Sequence, residues 1–404
     1  MWGEIFLDHT SIKKERIPYE TLISKLNSWY TTIKKNMIEE AQKKKLEIES
    51  LIEEVEMKQD VLLYYQLLDF RHELMLIYLR SKDVEEVRNT YEILKEKEGS
   101  LSKMLEYYFF FFMGMYEFRR KELVSAINAY SLAETKLSEI EDEIERGEFY
   151  FKVSEVYYYM KQTYFSLSYA KRAIKIYQKF DIHDERILHC RFIVAGNLID
   201  TLNYNSAIKE LKKGLQDAFK IGKKYLIATF HMNLGIVYRS VGQYDLSIQN
   251  LMKALQVFQE EKHIFMSKTL FNLSHVLAQK GEMNKALLYF EQGSSVALRN
   301  NDYEYQAKFK LLKGLYFSNE DVSLINEALD YFQSKKLFAD IEEYAHEVAE
   351  FYYEKGNSSL SNEYYRKVIA ARNEIRKGEI IHEEKNDCLI NDDFNGDDNT
   401  GLIP

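Results

Sequence analysis

Seven times along the chain a small residue falls inside a Leu/Tyr/Phe-rich helical pattern, at intervals of roughly forty residues. No other feature constrains the fold as much. The clearest copies are Met232–Ala254 (MNLGIVYRSVGQYDLSIQNLMKA) and Asn272–Gly293 (NLSHVLAQKGEMNKALLYFEQG). Counting from Gly235, Tyr238 comes three later, Gly242 seven, Ser247 twelve and Ala254 nineteen; Ser274, Leu277, Gly281, Ala286 and Gly293 repeat those offsets. This is tetratricopeptide spacing, a helix, a turn and a helix whose small residues let the pair approach closely. The same slot falls at Ala126, Ala170, Ala207 and Ser361, with a degenerate copy near Asn326. One unit cannot bury its apolar face alone, so the spacing predicts an all-α superhelix of about seven stacked repeats.

Composition supports long helices. The only prolines are Pro18 and Pro404, so nothing between them has a proline break. The 31 Tyr and 24 Phe suit the wide gaps between stacked helices, and some should line a concave, peptide-binding surface. Cys190 and Cys388 are the only cysteines, too few for a disulfide framework or a zinc site. The opening MWGEIFLDHTSIKKERIP carries Glu4 and Asp8 and does not read as a signal peptide. LEYYFFFFMGMY (Leu105–Tyr116) falls short of the roughly 20 apolar residues that span a bilayer. The expectation is a cytoplasmic protein that meets no membrane. A formal net charge of -9 argues against nucleic acid as the main partner. The early lysines, among them Lys13, Lys14, Lys25, Lys34, Lys35, Lys43, Lys44 and Lys45, fit either an acidic protein partner or a solvated helix face.

Ahead of the repeats, after an extension over 1–18, residues 19–80 read as a three-helix bundle. Its apolar stripes are Leu22, Leu26, Trp29, Ile33 and Met37; Leu46, Leu51, Ile52 and Val55; and Leu63, Leu67, Phe70, Leu74 and Ile77. Residues 81–100, highly charged, read as a helical connector at which two packed bodies could move. The repeat domain is expected over 101–376. An acidic tail, 377–404, lacks apolar periodicity and is expected to be disordered. Asn391, Asp393, Asn395 and Gly396 imitate the front of a calcium loop, but Leu402 stands where a Glu is needed, so calcium is not expected.

No sequence pattern for hydrolase or transferase chemistry is present. Gly222-Lys223 lacks the other parts of a phosphate-binding loop, there is no GxSxG, and the nine His form no metal-ligand pair at helical spacing. The residues alone describe a helical binding protein. Asn233 and Asn272 hold the same offset in consecutive repeats, on the helix facing the concave groove, where carboxamides can bond an extended peptide backbone. Phe271 and His275 flank Asn272. Asp200 should also look inward, and a buried acid needs a cation, from a peptide side chain or from a neighbouring Lys or Arg.

Four stretches carry a family likeness: KLNSWYTTIK from Lys25, QDVLLYYQLLDFRHELML from Gln59, LEYYFFFFMGMYEF from Leu105 and FKVSEVYYYMKQTYFSLSYAKRAIKIY from Phe151. Over about Pro18 to Arg376 the chain resembles the Rap proteins of bacilli, response regulator aspartate phosphatases. The resemblance implies a bundle that grips a response regulator and repeats that bind a Phr signalling pentapeptide. Some members dephosphorylate the regulator of the sporulation phosphorelay; others hold a competence regulator by its DNA-binding domain, without enzymatic action. It also implies that Gln59 is catalytic, with Asp60 and Tyr64 beside it in regulator binding, and that Glu304 joins Asp200, Asn233, Phe271, Asn272 and His275 in peptide binding. No cofactor of the chain's own is implied, since Mg2+ comes with the partner regulator. One departure is Met57, where members often carry an acid two residues before the Gln. A peptide-sensing transcription factor, the third reading, would need an N-terminal helix-turn-helix, for which the usual turn glycine is missing between Ile5 and Gly99.

Overall fold

The computed structural model describes residues 19–52, 59–80, 84–97, 99, 101–180, 185–318 and 320–386. Helices account for every regular element among them except short 3-10 and π turns. The chain divides into two compact units between Phe112 and Met113.

The first unit opens with α1 (Tyr19–Lys34), α2 (Ile38–Ile52) and α3 (Gln59–Arg80). Leu22, Leu26, Trp29 and Ile33 of α1 and all five predicted residues of α3 are buried. The stripe predicted for α2 holds only in part: Leu51 and Ile52 are half-buried, but Leu46 is 59% exposed, and Ala41 and Ile48 are the fully covered residues. Lys45 shares their face and pairs with Asp69 and, at 3.5 Å, Glu73 of α3. A cation therefore occupies the helical repeat where an apolar residue was sought. Val55 lies outside the described residues, and Met37 is exposed in the turn.

The connector is not a bare joint. A 3-10 turn (Val84–Val87) and α4 (Arg88–Lys95) pack on α3, with Val87 and Leu94 buried and Lys97 Nζ donating to Gln66 Oε1 at 2.8 Å. The unit boundary lies beyond it, inside α5 (Lys103–Arg119). Aromatic packing explains the shift from the expected residue 101. Tyr108 and Phe112 lie 5.6 and 5.9 Å from the Tyr30 ring, and Tyr108 lies 5.8 Å from Tyr64.

In the second unit, the rest of α5 pairs with α6 (Leu123–Glu134). Further pairs are α7 (Glu143–Tyr159) with α8 (Thr163–Lys179), α9 (Glu185–Asp200) with α10 (Tyr204–Ile221), and α11 (Lys224–Ser240) with α12 (Tyr244–Glu260). Next come α13 (Met266–Gln279) with α14 (Met283–Arg299), α15 (Tyr303–Leu312) with α16 (Val322–Ser334), and α17 (Phe338–Glu354) with α18 (Ser358–Asn386). Buried hydroxyls mark the register. Ser247 Oγ donates to the Gly235 carbonyl at 2.7 Å, Ser274 Oγ to Ala286 at 2.9 Å and Ser166 Oγ to Ser154 at 3.0 Å. The second repeat's slot is thus Ser166, not Ala170, which is buried one helical turn later. In the first pair, a Cβ on Gly114 would come within 2.3 Å of the Tyr130 ring, so only glycine permits that approach.

Each pair turns at a left-handed residue: Lys121, Lys161, Leu202, Gly242, Gly281, Glu320 and Gly356, all with φ between 56° and 85°. In six of the seven the following N–H returns to the carbonyl five residues earlier, as Gln243 does to Tyr238 and Gln162 to Tyr157, both at 2.9 Å, which closes the first helix. After Glu320, where a π turn ends the helix, Asp321 N–H reaches the Gly314 carbonyl at 2.9 Å instead. A non-glycine residue in this conformation costs roughly 1–2 kcal/mol.

α18 runs through Asn386, so the expected tail begins as helix. Its residues 379–386 (EIIHEEKN) hold no proline or glycine, and helical propensity prevails over the missing apolar period. The calcium-loop imitation and Cys388 lie outside the described residues. Among the described residues, no His/Cys/Asp/Glu group could hold a metal, and no helix is long and apolar enough to cross a membrane.

Candidate functional site

Bonds between the bundle helices show where α3 begins. Lys44 Nζ donates to Ser28 Oγ at 2.9 Å and Tyr65 Oη to Glu49 Oε1 at 3.1 Å. With Lys45 bonded to Asp69, α2 runs antiparallel to both α1 and α3. The start of α3 therefore shares one end of the bundle with the start of α1 and the end of α2. Gln59 is the first residue of α3, and both Gln59 and Asp60 are exposed. Tyr64 is a correction. It is buried, and its hydroxyl donates to Asn27 Oδ1 at 3.0 Å, because one turn into α3 the helix face meets α1. Met57 lies outside the described residues.

The groove candidates all fall on the first helix of a pair: Asp200 on α9, Asn233 on α11, Phe271, Asn272 and His275 on α13, and Glu304 on α15. Asn233 Nδ2 donates to the Thr229 carbonyl at 2.9 Å, and Asn272 Nδ2 to that of Lys268 at 2.8 Å. Each carboxamide is thereby oriented by its own helix, identically in the two repeats. Asn233 is half-buried and Asn272 buried.

Phe271 and His275 are wall residues and not exposed contacts. The Phe271 ring packs on those of His275, Tyr305, Phe309 and Tyr344. Burial keeps His275 below its ordinary pKa, so the neutral ring donates through Nε2 to Glu347. Its Nδ1 is then buried with no hydrogen-bond partner among the described residues. Tyr316, in the π turn Lys313–Phe317 that ends α15, lies against the same imidazole.

Charge is concentrated around the other candidates. Glu304 lies 2.7 Å from Lys121 Nζ and 2.8 Å from Lys308 Nζ, and Lys308 lies 2.9 Å from Asp340. Burial disfavours the Glu304 carboxylate, yet the two ammonium groups hold its pKa well below the usual range. Asp200 is pushed up to about 6 by burial; Lys161 opposes this, and Glu343, Glu342 and Asp340 add to it. Lys161 Nζ stands 3.9 Å from both Asp200 and Glu342, so the neighbouring-lysine alternative for Asp200 is present in the structure. Sequence reasoning missed Lys121, Lys161, Lys308, Asp340 and Glu342. The only signal was two lysines forty residues apart at equivalent turns.

A seven-pair helical array whose first helices carry a largely buried polar cluster around Asn272, Glu304, Lys308 and Asp340, preceded by a small bundle, defines a tetratricopeptide-repeat protein. Residues 16–77 match the family described as response regulator aspartate phosphatase H, N terminal, and residues 226–299 match the tetratricopeptide repeat. The chain is 51% identical over 392 residues to response regulator aspartate phosphatase I of Bacillus subtilis (strain 168), covering 96% of this chain and 99% of that one. It is 36% identical over 366 residues to the regulatory protein RapF of the same organism, covering 89% and 96%. A crystal structure of a Rap protein complexed with competence and sporulation factor superposes with a TM-score of 0.84 at 35% identity, covering 89% of this chain and 99% of that one. The chain belongs to the Rap family.

Proposed function

We propose that this Rap protein is a quorum-sensing regulator whose bundle binds a phosphorylated response regulator and hydrolyses its aspartyl phosphate, and whose repeats bind an inhibitory Phr-type pentapeptide. The observation that carries the enzymatic half is Gln59, exposed at the first position of α3 on a packed bundle. Aspartyl phosphate leaves as a carboxylate and needs no general acid, while a magnesium ion brought by the regulator neutralises phosphoryl charge. The remaining task is to place a water in line. A carboxamide does this by accepting one hydrogen bond and donating another. No cofactor of the chain's own enters this scheme.

In the groove, Asn233 and Asn272 each have one N–H fixed to the helix, which pre-orients the rest of the carboxamide toward a peptide backbone. Asp200, with its raised pKa, meets a cationic peptide side chain.

The test mixes the protein with a phosphorylated sporulation-type regulator and follows phosphate loss. A Gln59→Ala protein that hydrolyses at the wild-type rate overturns the catalytic role. Asp200→Asn or Asn233→Ala should abolish peptide inhibition and leave regulator binding intact. The likeness to RapF, described as a regulatory protein, supports a second reading, sequestration of a competence-type regulator by its DNA-binding domain. That reading is separated from the first by binding without phosphate loss.

A further inference from the structure

The seven turns share a left-handed φ, yet Lys121 and Lys161 place ammonium groups where the glycine turns place nothing. Lys121, between α5 and α6, reaches Glu304 on α15 at 2.7 Å and lies 4.9 Å from the centre of the Tyr159 ring. Lys161, at the equivalent turn between α7 and α8, stands 3.9 Å from Asp200 on α9 and 3.9 Å from Glu342 on α17. Behind them Lys308 joins Glu304 to Asp340, and Arg372 Nε on α18 holds Glu342 at 2.9 Å. The first two turns are thus tied to the sixth and seventh helix pairs. Glycine would relieve both turns at no steric cost, and Gly242, Gly281 and Gly356 occupy the same slot elsewhere. Positive φ alone does not mark a role, since Leu202 shares it with its side chain 71% exposed. The distinguishing fact is that the Lys121 side chain crosses to α15 and that of Lys161 to α17.

We infer that Lys121 and Lys161 are positioning residues of the groove, fixing its width by holding the first two turns against Glu304 and Glu342. Lys161 also fixes Asp200, so the ligand's anchoring carboxylate and the closure of the array share one cation. That last point rests on the peptide-binding reading. The closure itself does not, and it can be measured without ligand.

Spin labels at Leu132→Cys on α6 and Ile369→Cys on α18, both exposed positions, with Cys388→Ser, report the separation of the first and last pairs by pulsed electron resonance. Cys190 is fully buried and stays unlabelled. In the Lys121→Gly/Lys161→Gly protein the separation should become longer and more broadly distributed, although the turns themselves are relieved. Lys121→Arg/Lys161→Arg, which keeps the charge and the left-handed strain, should restore the wild-type distribution. An unchanged distribution in the glycine protein overturns the inference. So does an arginine protein as open as the glycine one, since charge would then not be the cause. Failure of any pentapeptide to bind would instead refute the groove's proposed function and leave the closure result standing.

Discussion

Lys308 lies between two carboxylates, 2.8 Å from Glu304 and 2.9 Å from Asp340, with 7% of its surface exposed. Against burial, the two acids hold its ammonium well above the ordinary lysine range. Lys308→Met removes the shared cation and leaves acids crowded in a confined site. Unfolding free energy should fall by roughly 3–5 kcal/mol, read from urea melts, and Lys308→Arg should recover much of it.

Asp200 supplies a pH dependence of definite sign. Its pKa rises from 3.8 to about 6 on folding, first through burial. A carboxyl raised in this way favours the folded state fully below the unfolded value. That contribution is lost as pH climbs toward 6, and above it the ionised group is a net cost. Asp200→Asn is therefore expected to stabilise the unliganded protein at neutral pH by roughly 1–3 kcal/mol, with the gain disappearing near about pH 4. Melts across that range check it.

Gln59 is exposed and begins its helix, so Gln59→Ala should leave the melting temperature unchanged. Loss of water positioning should slow dephosphorylation on the order of 10²-fold. Regulator binding, followed by calorimetry, should persist.

Gly314 sits in the π turn, where a Cβ would meet the Asp321 carbonyl and an Ile325 side-chain carbon, both at 2.8 Å. Backbone cannot swing aside as a ring tip can. Gly314→Ala should destabilise by about 1–3 kcal/mol, measured by thermal melts.

What the sequence conveyed followed from periodicity. Leu22, Leu26, Trp29 and Ile33 repeat as a helix must and are buried, and Gly235 with Ser247 gave the repeat register that the Ser247 hydroxyl bond displays. α2 misled because Lys45 takes a core-facing position, and hydrophobic period is blind to a cation with partners. Gln59 carried no signal of its own, and its role came only through family likeness. The resemblance assigned Tyr64 to regulator binding, whereas it is buried and its hydroxyl is bound to Asn27 inside the bundle. The lysines of the first two turns escaped notice because turn residues have no periodic face and their acids lie far along the chain.

Gln162, just past the second turn, donates through Nε2 to the Ile375 carbonyl at 3.0 Å, across 213 residues of chain. Solenoids ordinarily behave as one-dimensional strings, whose units lean only on their neighbours and can fray from either end. A string whose second unit holds its seventh has no free end to fray. Its early repeats must wait for the last helix to be synthesised before their native contacts are complete, which makes folding slower and unfolding closer to a single step than repeat architecture alone would allow.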